Sequence, residues 1–272
     1  MKRIFFLLLV IVSIQAISQS ELKDFTANFE VTYRLEYISD STNLDKKSTE
    51  DFYLFVGEHT SKFISVNKRI GDSITKKMVE NFNGSINLSN KNIPKTKFSE
   101  VIYKNYHTNQ LFFVGRIGSD KFLYEEDIQP YTWDIKEKKK VINNFKVQKA
   151  ITKFGGREYT AWFTEEIPIP QGPYKFDGLP GLIVEIEDSE SHYSYQLISF
   201  KDLDKGKKIE YLNTNDGYVK TTKHDFYNSK KDYYSDYFKR LNQKGFSFGL
   251  SSKEKRKVQQ KFDKRNNPIE LE

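Results

Sequence analysis

The sequence predicts a mainly β (α+β) protein, a single curved antiparallel sheet or half-open β-barrel with C-terminal helices. Three observations lead there. Phe29, Val31, Tyr33, Leu35 and Tyr37 alternate with Glu30, Thr32, Arg34 and Glu36, the period of two that gives a strand one buried and one wet face. Short apolar runs recur downstream between clusters of Gly, Asn, Asp and Ser, as in hairpin-linked strands. Helical periodicity appears mainly near the end, so no strand-helix alternation supports a parallel nucleotide-binding sheet.

Taken in chain order, residues 1–18 read as a secretory signal peptide. Lys2 and Arg3 precede an apolar run from Ile4 to Ile14, and Ala16 and Ser18 supply small residues for cleavage. That run is shorter than the roughly twenty residues a membrane-spanning helix needs. The mature chain, residues 19–272, reads as one exported β-rich domain, soluble or peripherally attached, with no later spanning segment. Strands are expected over 51–57, 61–67, 101–106, 110–117 and 121–127, with a polar excursion over 81–94 that turns at Asn83-Gly84. A strand over 131–135 is followed by a basic turn, "KEKKK" at 136–140, then strands over 141–154 and 157–164 hinged at Gly155-Gly156. Strands over 181–188 and 192–203 form a further hairpin. Between residues 225 and 245, Phe226, Tyr234, Tyr237, Phe238 and Leu241 share a helical face, with Gly245 at the exit. A basic C-terminal helix and tail occupies about 251–272, its helix over 251–265 capped by Ser251 or Ser252 and carrying Val258 and Phe262 four residues apart.

Composition narrows the chemistry. There is no cysteine, hence no disulfide, thiol nucleophile or lipid-modified cysteine. The net charge of +7 falls to +5 when Lys2 and Arg3 leave with the signal, a mild excess that reads as a mixed-charge surface and, with no recognition motif, not as a nucleic-acid binder. The histidines His59, His107, His192 and His224 have no helical zinc spacing, and no G-x-S-x-G elbow exposes a serine. Glu185 and Glu187 alternate with Val184 and Ile186, which places them on the wet face of a strand. No loop has the density of oxygen ligands that calcium requires. Pro180 removes a donor from "GLPGLI" and a strand follows it, so it is no phosphate loop. No cofactor or metal is expected.

One stretch concentrates backbone constraint. "IPIPQGPYKFDGLPGLIVEIED", residues 167–188, holds four of the seven prolines together with Gly172, Gly178 and Gly181. Its hexapeptide Gly178-Leu179-Pro180-Gly181-Leu182-Ile183, the upstream "GGREYTAWFTEEIPIPQGP" with Trp162, Pro168, Gly172 and Pro173, and the terminal "NNPIEL" with Asn267 and Pro268 resemble the GLPGLI family of Bacteroidota envelope proteins. The resemblance implies export and an envelope location and supplies no catalytic residue. Many members carry a cysteine in the segment where this chain has Val147, so shared cysteine chemistry does not extend here. The signature residues are expected to be architectural: Trp162 buried in its strand, Gly178 and Gly181 required for positive φ or close packing. By fold analogy, the strand-rich pattern is similar to the half-open barrels of periplasmic lipoprotein carriers. The leading functional reading is a non-enzymatic binding or assembly module for an outer-membrane protein complex, a lipid or a peptide. The alternative is an envelope hydrolase or metal-dependent enzyme that uses Glu165 or Asp188 with His192.

Overall fold

The computed structural model describes residues 24–81, 93–235, 237–243, 245 and 249–271. The elements run β1 (Phe25–Tyr37), β2 (Ser48–Val56), β3 (Thr60–Ser65), α1 (Val66–Glu80), β4 (Val101–Asn105), β5 (Gln110–Ile117), β6 (Asp120–Asp127), β7 (Asp134–Ile142), β8 (Phe145–Phe154), β9 (Arg157–Thr164), β10 (Leu182–Asp188), β11 (Tyr193–Ile209), β12 (Val219–Lys220), α2 (Lys223–Ser235), α3 (Tyr237–Gln243) and α4 (Ser252–Asp263). The signal peptide and the Asn83-Gly84 turn lie outside the described residues.

Among the described residues, twelve strands join one open sheet in the order β12-β6-β5-β4-β3-β2-β1-β11-β10-β9-β8-β7. Each neighbouring pair is antiparallel except β12 with β6, so the sheet is mixed only at that edge. The protein is mostly β with a few C-terminal helices, as the alternation predicts, and its sheet does not close. Two meanders, β1 to β6 and β7 to β11, meet where β1 pairs along most of its length with β11.

Alternation assigns side chains to two cores. Phe52, Leu54, Phe113 and Tyr124 face the main cluster with Tyr33, Leu35 and Phe176. Phe55, Tyr103, Phe112 and Leu123 face a second cluster on the other side. The second is joined by Tyr211 and Leu212 from the chain after β11, and Arg69 of α1 lies over the rings of Tyr53 and Phe55.

Several expectations need correction. The 61–67 strand stops at Ser65, whose hydroxyl accepts from the Lys68 N–H and caps α1. Val66, Ile70, Ile74 and Met78 recur every four residues, which is the signal for this helix. The basic "turn" at 136–140 is strand, and the real turn is Asn143-Asn144, both residues at positive φ, the geometry of a two-residue hairpin loop. Consecutive lysines suit an exposed outer strand, which is where β7 lies. The strand read over 192–203 continues to Ile209. The helix read over 225–245 is described as α2 and α3, and Gly245 leaves it at φ +79° as expected. α4 carries a capping box between Ser251 and Glu254, and its Phe262 packs 4.8 Å from both Tyr234 and Tyr237. Among the described residues, no helix is long and apolar enough to cross a membrane.

Candidate functional site

Backbone hydrogen bonds fold the signature stretch into a compact loop between β9 and β10. Leu182 N–H donates to Ile167 O at 3.0 Å, Ile183 N–H to Gln171 O at 3.0 Å, and Gly178 N–H to Pro170 O at 3.1 Å. Gly178 has φ +83°, and a Cβ there would make only an ordinary contact, with Trp133 Nε1 at 3.9 Å. Gly181 has a different constraint: a Cβ there would lie 2.0 Å from the Thr164 carbonyl oxygen. At Gly172 it would lie 2.5 Å from Ile183 Cδ1. Leu179, Leu182 and Ile183 are buried in the main core, while Pro168 and Pro180 are exposed and Pro173 is buried.

Beneath this loop lies a set of buried charges. Lys104, on β4, points inward with Ile102 and ion-pairs with Asp177 at 2.7 Å, both side chains being almost fully buried. Its ammonium also donates to Lys175 O, and Asp177 accepts from the Tyr106 hydroxyl at 3.0 Å. Burial drives the Lys104 pKa down, against the pull of Asp177. Lys175 reaches Glu126 at 2.8 Å and Glu270 at 3.0 Å. Glu270 also pairs with Lys223 at 2.7 Å and accepts from the Tyr174 hydroxyl. Burial works against the charge on Glu270, but Lys175 and Lys223 outweigh it and hold the carboxyl below its ordinary range. Tyr174 itself sits at φ +57°, an unfavourable conformation for a bulky residue that the surrounding contacts must hold in place.

A second cluster sits where the β10–β11 hairpin meets the C-terminal segment. Arg157 donates to Asp188 Oδ2 at 2.7 Å and to Pro268 O at 2.9 Å, and to Asn267 Oδ1. Asn267 Nδ2 donates to Ile38 O at 2.7 Å. The terminal "NNPIEL" is thus a strap whose Asn267 and Glu270 lock into both clusters, while Pro268 is exposed.

Asp188, Glu190 and His192 converge here, with ligand atoms within 4.8 Å of one another. The alternative reading's Asp188 and His192 therefore do meet. Glu165 does not join them: it follows β9, and the β9–β10 register runs from Thr164 opposite Leu182 at that end to Tyr159 opposite Asp188 at the other. The arrangement suits a guanidinium better than a metal. Arg157 Nη1 already sits 2.7 Å from Asp188, 3.3 Å from His192 Nδ1 and 3.9 Å from Glu190, and Asp188 Oδ1 accepts from Tyr193 N–H at 2.7 Å. A dication there would face a buried, fixed positive charge.

Trp162 is buried as expected and belongs to the main cluster, but alternation is not what buries it, since it lies three positions from Tyr159 and so in the other row of β9. It stands opposite Lys149 and Glu185, in the row that continues through Gln196 to Arg34. The Lys140 ammonium lies 4.0 Å above its ring. A bulge between Ile183 and Glu185 sets this register, which strand periodicity does not encode. Sequence reasoning missed Lys104 and Glu270; the available signal was a lysine in the inward register of an apolar strand.

The fold defines an open β-sheet protein whose signature loop and C-terminal strap are joined by buried ion pairs. A family model described as a protein of unknown function (Porph_ging) matches residues 137–185, from within β7 to within β10. No curated protein matches the chain. Two solved structures, of PNGF-II in C2 and P21 space groups, are similar at TM-scores of 0.48 and 0.47, with 14% and 13% identity. Each alignment covers 75% of this chain and 32% of that one, so this chain spans about a third of their length.

Proposed function

We propose that the chain is an exported cell-envelope protein of the GLPGLI type, acting at the periplasmic side or outer-membrane periphery as a non-enzymatic binding or assembly module. The observation that carries this reading is β7. It is an outer strand of the sheet and is exposed along almost its whole length. It carries Lys136, Lys138, Lys139 and Lys140 together with exposed Ile135 and Val141. Such an edge offers unpaired backbone groups for strand addition, and its lysines favour an acidic extended segment of an envelope partner. The polar groups around the signature loop favour the same reading, since they are engaged in holding the loop and strap together.

The test is co-purification from native envelope, comparing the wild-type chain with Lys136→Glu/Lys138→Glu. A partner retained by the wild type and lost by the charge-reversed edge supports the proposal. Failure to retain any partner, lipid or peptide reproducibly sinks it. A second reading, an envelope hydrolase or metal-dependent enzyme, rests on the meeting of Asp188 and His192. It requires a hydrolytic activity that His192→Ala abolishes in a chain that remains folded.

A further inference from the structure

We infer a binding site for a divalent transition cation, Zn(II), Ni(II) or Cu(II), between His59 and His107. These residues are 48 positions apart in the chain, a separation that conceals the pair, yet their ring centroids lie 6.0 Å apart. They occupy the tips of two adjacent hairpins. The β2–β3 turn is closed by Gly57 N–H to Thr60 O at 2.8 Å, and the β4–β5 turn by the Asn105 side chain, which accepts from the N–H groups of His107 at 3.0 Å and Thr108 at 3.2 Å. The two tips are tied by Tyr106 N–H to His59 O at 2.8 Å, which extends the β3–β4 ladder past Thr60 opposite Asn105. The backbone that carries both imidazoles is therefore preorganised, and only the exposed side chains need adjust.

The spacing is that of imidazoles sharing an ion. With metal–nitrogen bonds of about 2.0–2.1 Å, two histidines on one tetrahedral ion place their ring centroids roughly 5–5.5 Å apart. The observed separation closes to that value by rotation of two solvent-exposed rings. Glu58 lies beside His59, its carboxylate 3.5 Å from His59 Nε2, and adds negative charge next to the pair. Glu58 and His59 also border, with Phe25, Thr26, Asn28 and Thr60, a shallow recess of about 300 Å³ whose lining does not include His107; none of these neighbours is a lysine or arginine. This contrasts with the Asp188 cluster, where Arg157 occupies the cation's place. Imidazole donors suit Zn(II), Ni(II) and Cu(II), and not the harder calcium or magnesium.

Calorimetric titration of the tag-free, chelator-treated chain with ZnCl₂ and NiCl₂ tests the site. The expected result is one saturable equivalent, weakened about tenfold or more in His59→Ala and in His107→Ala. Both positions are exposed turn residues, and circular dichroism verifies that each variant folds. His224→Ala, at another exposed histidine, should bind as the wild type does. The proposal is overturned by the absence of a saturable equivalent, by full binding in either hairpin variant, or by binding lost in His192→Ala and kept in the other two.

Discussion

At the scale of single residues, the two glycines of Gly178-Leu-Pro-Gly181 do different work, and a methyl group distinguishes them. At Gly178 the requirement is conformational: φ is +83°, and the nearest atom to an added Cβ is Trp133 Nε1 at 3.9 Å. Alanine there costs about 1–2 kcal/mol, the left-handed penalty alone. At Gly181 the obstacle is the Thr164 carbonyl at 2.0 Å, a backbone group of the strand that pairs with β10. It cannot swing aside, so Gly181→Ala should cost about 3 kcal/mol or more. Urea unfolding of the two variants measures the order; equal midpoints would mean that the close approach is absent. That both glycines are backbone requirements was legible from the clustering of Pro and Gly. Which requirement each meets was not, because close packing against Thr164 depends on the β9–β10 register.

At the scale of elements, the strap and the signature loop act as one unit. Neither shows its charge partners in its own sequence: Glu270 finds Lys175 and Lys223, and Asp177 finds Lys104. These pairings depend on tertiary approach over separations that periodicity does not carry. The same limit applied to α1, whose four-residue apolar spacing was present but whose face stays partly exposed. It did not apply to β1, where burial follows alternation closely. The strap makes a specific prediction about pH. The Glu270 carboxyl is held below its ordinary range by Lys175 and Lys223 despite its burial. A depressed carboxyl contributes stability that is fully present above its unfolded-state pKa, about 4.3, and is lost as pH falls through the lower folded value. Urea midpoints measured from pH 7 down to pH 3 should therefore fall more steeply for the wild type than for Glu270→Gln. The variant should be less stable at pH 7, because Lys175 is left in a buried place with one counter-ion fewer. Parallel curves for the two proteins would refute the assignment.

At the scale of the whole molecule, the order of strands decides how the fold is completed. β1 opens the described chain and β11 comes more than 150 residues later, yet they pair in the interior of the sheet, with Tyr33 opposite Leu197 and Leu35 opposite Tyr195. The local hairpins on either side can form from near neighbours, whereas this seam requires closure of most of the chain, which makes folding slow. Tyr33 also spans the seam through its hydroxyl, donating to Ile183 O at 2.7 Å from a fully buried ring. It thereby ties the first meander to the signature strand of the second. Tyr33→Phe removes that bond and leaves the Ile183 carbonyl short of a donor, at a cost of about 1–2 kcal/mol. If the seam couples the meanders, the cost should appear everywhere at once. Both tryptophans, Trp133 and Trp162, report on the second meander, while far-ultraviolet circular dichroism reports on the whole sheet. In the wild type the two signals should share one denaturant midpoint, and in Tyr33→Phe both should move down together. A fluorescence midpoint that stayed in place while the dichroism midpoint moved would show that the meanders unfold independently and that the seam does not bind them into one cooperative unit.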